Sequence, residues 1–251
     1  MSSRIPRFFC PPPLADLPEQ LLVLPDNVAR HAAQVLRLPP GGEMILFDGT
    51  GGEYPARIQQ IERGKVVAHV GARRAIERES PLAVTLAQAL QAGEKMDYTL
   101  QKAVELGVAA FLPLTGRRSV IRLADDRARK REAHWHGVAI AACEQCGRNR
   151  LPAIGRLASL EAWLHDEGRN LPGLKLILAP EASRRFAELE KPAAGEPVTL
   201  LVGAEGGLDP AEIDSAQKAG FQPIRLGPRI LRTETAGIAA LSILQSHWGD
   251  L

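Results

Sequence analysis

The chain has 251 residues, of which 45% are hydrophobic and 24% charged, with a formal net charge of +2. This is ordinary globular composition; it excludes a disordered or fibrous chain, and the near-balance of charge says nothing by itself about a polyanionic partner. No run approaches the ~18 apolar residues of a membrane span, the first ten residues hold no signal-peptide block, and three cysteines cannot close a set of disulfides, so a cytoplasmic chain with reduced thiols is expected.

The first part of the chain reads as short strands with turn punctuation. Strands are predicted over 44–47, 53–60 and 65–70, with the turn Asp48-Gly49-Thr50-Gly51-Gly52 between the first two, the pattern of a small β-barrel. One helix interrupts it, opening after Pro25 with Asp26 or Asn27 as N-cap and carrying Val28, Ala32, Val35 and Leu36 towards a core. The charged stretch 73–80, closed by Pro81, reads as a linker. The expected division is thus a barrel domain over 1–73, a linker over 74–81 and a second domain over 82–251.

From Leu82 the pattern changes to apolar β-like runs alternating with helices, which predicts an α/β domain with a mostly parallel sheet. Strands are expected over 83–87, 110–114, 174–179, 198–202 and 223–226. A helix between the first two places Met96, Leu100, Ala103 and Val104 on one face and stops at Gly107. Another, over 127–146, aligns Trp135, Val138, Ala139, Ala142, Cys143 and Cys146. A third opens with Asp209-Pro210-Ala211-Glu212, a capping box with proline in the first helical position. The chain carries no internal repeat.

Charge is unevenly spread. Residues 117–150 hold nine basic and four acidic side chains, among them Arg117, Arg118, Arg122, Arg129, Lys130, Arg131 and Arg148. Such a segment suits phosphate binding, and equally an ordinary solvated helix face. Cys143 and Cys146 have a spacing suited to zinc. No second cysteine pair or paired histidines complete four ligands, however, and both fall on the apolar stripe, so packing is expected and no metal.

Two loops carry the chemistry. Gly203-Ala204-Glu205-Gly206-Gly207 leaves a buried strand and enters the capped helix, and its glycines let backbone amides approach a ligand. It lacks both the dinucleotide fingerprint and the lysine of a phosphate loop, which disfavours a Rossmann-type nucleotide enzyme. The second loop, Leu226-Gly227-Pro228-Arg229-Ile230-Leu231-Arg232-Thr233-Glu234-Thr235-Ala236, follows the next strand with far more polarity than a plain turn needs. Ligands of open α/β sheets bind beyond strand carboxyl ends, so the pair is predicted to form one pocket.

The two loops together resemble the signature of SPOUT methyltransferases, the trefoil-knotted class that uses S-adenosylmethionine. Gly93-Glu94-Lys95-Met96, Gln101-Lys102-Ala103-Val104-Glu105-Leu106-Gly107 and Glu144-Gln145-Cys146-Gly147-Arg148 resemble the ribosomal RNA small subunit methyltransferase E family. The opening Arg4-Ile5-Pro6-Arg7 and the helix end Val35-Leu36-Arg37 are similar to its PUA-like N-terminal domain. One departure is Ala204, where that family usually has proline.

The resemblance implies a C-terminal trefoil-knotted SPOUT domain, a PUA-like RNA-binding barrel, a homodimer, and methylation of N3 of uridine 1498 in the 16S rRNA of the small ribosomal subunit. It implies cofactor contacts from Gly203, Glu205, Gly206, Gly207, Leu226, Gly227, Leu231, Arg232, Thr233, Thr235 and Ala236. Methylation at a ring nitrogen needs no protein nucleophile, because the deprotonated nitrogen itself attacks the methyl group. Arg148, Arg229 and Arg232 are the candidates for stabilising the charge that develops on the base, and Glu144 or Glu234 for accepting the proton. An i,i+4 helix pair of Glu144 with Arg148 remains a competing reading. Arg7, Arg37, Arg117, Arg118, Arg129, Lys130, Arg131 and Arg148 are the expected RNA contacts. A non-catalytic RNA-binding assembly factor is the alternative function.

Overall fold

A computed structural model describes residues 5–11, 14, 20–119 and 125–251; Arg4 and Arg122 lie outside the described residues. The chain divides into two compact units, the first of Met1–Glu79 with Ile140–Leu151 and the second of Ser80–Ala139 with Pro152–Leu251. The stretch expected as a linker up to Glu79 thus belongs to the first unit, which also takes in a segment from the middle of the chain.

In the first unit, β1 (Arg7–Phe9), β2 (Gln20–Val23), β3 (Glu43–Phe47), β4 (Tyr54–Glu62) and β5 (Lys65–Val70) form one sheet in the order β1-β3-β4-β5-β2. Only the β1–β3 pairing is parallel. Burial alternates along β5, as it must when one face of a strand meets a core. Phe8, Met44, Leu46, Ile58, Val66 and Ala68 fill that core together with Val28 and Ala32. Helix α1 (Asp26–Arg30) follows Pro25 without a side-chain cap, and Asp26 is its first helical residue rather than its N-cap. It continues as a π-helical turn, His31–Val35, in which Leu36 N–H reaches His31 O. That wider turn shifts the apolar stripe, so Val35 and Leu36 are 64% and 45% exposed instead of entering the core.

Residues 140–151 are tied into this unit by polar contacts. Arg7 is buried; its Nη1 donates to Glu53 at 2.7 Å, its Nη2 donates to Asn149, and its guanidinium lies over the Phe47 ring. Arg78 donates to Gly147 O at 2.9 Å and Asn149 Nδ2 to Ile76 O at 2.6 Å. Arg148, almost fully buried, donates from Nε and Nη2 to the Glu79 carboxylate. Glu144 Oε1 accepts the Phe9 N–H at 2.9 Å. Burial pushes the Glu144 carboxyl up, against the pull of that N–H and of His31. Burial also works against ionised Glu53, but Arg7 and Arg78 outweigh it and hold that carboxyl below its ordinary value.

The second unit contains β6 (Val84–Ala89), α2 (Lys95–Glu105), β7 (Ala110–Thr115), most of α3 (Asp125–Cys146), β8 (Ala153–Ile154), β9 (Ala158–Ser159) and α4 (Leu160–Asp166). It continues with β10 (Leu174–Leu178), β11 (Val198–Val202), α5 (Pro210–Lys218), β12 (Gln222–Ile224) and α6 (Thr233–Trp248). The sheet order is β12-β10-β11-β6-β7-β8, with β9 also on β7, and every pairing is parallel. Central strands of such a sheet are covered on both faces, which is why Val198–Val202 is buried at all five positions. Leu160, Trp163, Ile177, Leu201, Ala216 and Phe221 form a core between the sheet and helices α4 and α5. The capping box of α5 is formed, with Asp209 accepting from Ala211 N and Glu212 from Asp209 N.

Two stability predictions follow from the first unit. Arg148→Ala leaves Glu79 without its buried partner and is expected to lower the unfolding free energy by about 3 kcal/mol, the low end for broken buried pairs because Glu79 keeps some solvent. Urea denaturation reads this, and a change below ~0.5 kcal/mol would mean that the pair does not hold the segment. The folded pKa of Glu53 lies below the ordinary 4.5, so its contribution is present above that value and is lost as the pH falls through the folded pKa. Glu53→Gln should therefore flatten the acid limb of a stability-against-pH curve. An unchanged limb would assign acid sensitivity elsewhere.

Candidate active site

The site grows out of strand ends. Leu178, Val202 and Ile224, the last residues of β10, β11 and β12, line a single cavity of about 500 Å³, well within the range of small-molecule sites. The loops leaving these strands form its walls, as expected for a parallel sheet that binds beyond its carboxyl ends.

The loop after β11 folds back on itself, with Gly207 N–H bonded to Ala204 O at 2.9 Å. A Cβ on Gly203 would stand 3.0 Å from the Gly207 carbonyl carbon and the Leu208 nitrogen, so a side chain here would force the turn to open by a few tenths of an ångström. The loop after β12 leads straight into α6, whose first residue, Thr233, is buried. Gln88, next to the last residue of β6 and wholly buried, joins the two loops. Its Nε2 donates to Gly203 O at 3.3 Å, to Thr233 Oγ1 at 3.1 Å and to Ala89 O at 3.1 Å, while Thr233 Oγ1 donates to Gly203 O. Helix α6 approaches β6 so closely here that a Cβ on Gly237 would meet Gln88 Oε1 at 3.1 Å.

Most of the residues expected to bind a cofactor meet at this cavity. Gly203, Glu205, Gly206, Gly207, Leu226, Gly227, Leu231, Arg232, Thr233 and Ala236 all line it, as do Arg229 and Glu234. Thr235 does not; it is exposed on the first turn of α6. Glu234 Oε2 is buried without a hydrogen-bond partner, and Glu205 Oε1 accepts the Ala92 N–H at 2.9 Å. Arg118 also reaches the cavity, donating from Nη1 to Gly206 O at 3.0 Å.

Other expected residues are used elsewhere. Arg148 and Glu144, expected at the reacting base, belong to the first unit, where Glu79 and the Phe9 N–H engage them; they do not form the i,i+4 pair with each other. Arg7, expected on an RNA surface, is a buried structural arginine. Helical spacing and local charge are the same for a catalytic group and for a packing one, so sequence alone does not separate the two. Arg37 is exposed and has a left-handed φ of 53°. Arg129 and Lys130 are exposed on α3, with Arg129 paired to Asp126, while Arg131 is half-buried; the Arg117 N–H bonds Glu212 at 2.7 Å. Cys143 is buried with its thiol pushed up to about 12 by desolvation, and Sγ donates to Arg150 O at 3.6 Å. Gln88 and Lys95 are the site residues that the two-loop reading missed. A glutamine inside a strand that is apolar but for Thr85, Val84–Ala89, was the available signal for the first.

Comparison with known proteins agrees with this geometry. A family model described as an RNA methyltransferase domain matches residues 78–245, and one for an RNA methyltransferase PUA domain matches residues 24–70. A ribosomal RNA small subunit methyltransferase E of Buchnera aphidicola is 34% identical over the whole of both chains, and that of Bacillus subtilis is 33% identical over 85% of each. Among solved structures, a Legionella pneumophila methyltransferase in complex with S-adenosylmethionine superposes with a TM-score of 0.92 at 37% identity, covering 99% of this chain and 100% of that one. The ribosomal RNA small subunit methyltransferase E of Neisseria gonorrhoeae, bound to the same cofactor, gives 0.89 at 37% identity with the same coverage. With a family model over most of its length and a relative matched end to end, this chain belongs to the ribosomal RNA small subunit methyltransferase E family.

Proposed function

We propose that this protein transfers a methyl group from S-adenosylmethionine to N3 of a single uridine, position 1498 of 16S rRNA. The observation that carries the reading is the cavity at the ends of β10, β11 and β12, in a chain similar over its full length to a methyltransferase solved with that cofactor. Its residues fit the group. The strand ends offer an apolar floor for an adenine ring, the glycine loop and the loop before α6 offer backbone donors and acceptors, and the unpartnered Glu234 Oε2 offers an acceptor.

When bound, the cofactor supplies a methyl group activated by its sulfonium. The chain's own part is to orient that methyl towards the base, to take the N3 proton and to stabilise the negative charge spread over N3 and the flanking carbonyls. We assign proton acceptance to Glu234, since Glu144 is engaged by a backbone amide in the first unit. Arg229 and Arg232, both at the cavity lining, are assigned to the anionic base. No cysteine is among the described residues that line the cavity, which favours methylation at nitrogen over a carbon whose methylation needs a thiol nucleophile.

The exposed Arg129 and Lys130, with Arg131, Arg117, Arg118 and Arg37, are assigned to RNA phosphates, and the target base is turned out of its stack to reach the cavity. A homodimer and a knotted chain path through the loop before α6 belong to the same reading.

Nucleoside mass spectrometry of 16S rRNA from cells lacking the protein should show loss of 3-methyluridine and its return on complementation. Persistence of 3-methyluridine would overturn the assignment, and purified protein that binds the rRNA but transfers no methyl group from S-adenosylmethionine to it would favour the non-catalytic assembly factor. Replacing Arg129, Lys130 and Arg131 with glutamine should weaken RNA binding and lower its log-log salt slope by roughly 0.7–0.9 for each phosphate that is no longer neutralised. An unchanged slope would return the segment to a solvated helix face.

A further inference from the structure

The segment that leaves β6 is not one of the two loops that define the cavity, yet it reaches into it. After Ala89 the chain passes through Gly93, with φ 61°, and enters α2 at Lys95, the one lysine among the described residues that line the cavity. Lys95 Nζ stands between two carboxylates, 3.7 Å from Glu205 Oε1 in the glycine loop and 3.6 Å from Glu234 Oε1 at the start of α6.

The two carboxylates are loaded differently. Glu205 Oε1 has the Ala92 N–H in addition to Lys95. Glu234 has Oε1 3.6 Å from Lys95 Nζ, and its Oε2 is buried at the cavity with no hydrogen-bond partner. A buried carboxylate oxygen left bare is costly, and in this position a ligand is what can supply the missing donor. An ammonium at ion-pair distance from Oε1 favours the carboxyl orientation that keeps Oε1 towards Lys95, and with it the aim of the other oxygen.

We propose that Lys95 is a positioning residue for methyl transfer: by holding Glu234 Oε1, it turns Oε2 towards the ring nitrogen that must lose its proton. The proposal rests on the assignment of Glu234 as proton acceptor. In the step it serves, the N3–H proton passes to Glu234 Oε2. The N3 electron pair forms the new N–CH3 bond as the S–CH3 bond breaks, and that bond's pair stays on sulfur. Lys95 touches neither the base nor the methyl group; it acts through Glu234.

The test uses the full-length protein with small-subunit rRNA as substrate and compares Lys95→Met, Lys95→Arg, Glu234→Gln and the double variant Lys95→Met with Glu234→Gln. Thermal melts confirm folding, calorimetry reads S-adenosylmethionine affinity, and single-turnover rates read the chemical step. Lys95→Met should slow the chemical step roughly 10- to 100-fold, the scale of a misplaced catalytic group, with cofactor and RNA affinities each within about twofold of the parent. Lys95→Arg should recover most of the rate, and the double variant should be no slower than Glu234→Gln alone. Loss of cofactor affinity in step with the rate would make Lys95 a cofactor ligand instead. A weaker RNA affinity with a smaller salt slope would make it a phosphate contact. Multiplicative effects in the double variant would sever it from Glu234. If Glu234→Gln turns over at the parent rate, the acceptor assignment fails and the proposal with it. If Glu234→Gln is slow while Lys95→Met is not, the proposal alone fails.

Discussion

A single buried amide holds the cavity together. Gln88 sits in β6, at the middle of a parallel sheet, and donates from one nitrogen to the first residue of the glycine loop and to the first residue of α6. The Gln88 nitrogen is hydrogen-bonded, while its Oε1 is buried without a hydrogen-bond partner, and the nitrogen's bonds link elements more than a hundred residues apart in sequence. The distance between the two ligand loops is thereby set by the sheet rather than by the loops themselves. Gly237 belongs to the same constraint, since a larger residue would push α6 away from Gln88.

The first unit follows a different rule. Its apolar core is built from short strands and one short helix, while residues 140–151 are tied in by charged and polar contacts through Arg7, Arg78, Arg148 and Asn149. Buried ion pairs contribute little net stability compared with apolar contacts, but breaking one of them is costly, so they fix where a segment goes more than how tightly it is held. Cys143, Glu144 and Arg148 all lie in this segment. In the described chain Cys143 is packed, Glu144 accepts the Phe9 N–H and Arg148 pairs with Glu79.

Elements with a strong period were legible in the sequence. The helix of Met96 and Leu100 shows its 3.6-residue period, the run over 198–202 reads as a strand by its shortness and its β-branched residues, and the capping box at Asp209 marks a helix start by its own chemistry. The π-helical turn at His31–Val35 was not legible, because a helix that widens by one residue keeps the composition of an ordinary one while turning Val35 and Leu36 outwards. Two-residue strands such as Ala153–Ile154 are too short to show a period. At the site, the two loops and Glu234 could be read because glycines and charges stand out against strand ends. The difference between Arg232, at the cavity, and Arg148, inside the first unit, depends on neighbours such as Glu79 that lie far away in sequence.

The chemistry at the strand ends depends on the cavity being the cofactor site and on Gln88 setting its width. Calorimetric titration of S-adenosylmethionine into the parent protein and into Gln88→Leu tests both halves at once. The expected result is one cofactor per chain for the parent and a loss of affinity of roughly tenfold or more for the variant, equivalent to about 1.4 kcal/mol, with the fold retained. A parent protein that binds no S-adenosylmethionine, or a folded variant that binds it undiminished, would contradict this assignment.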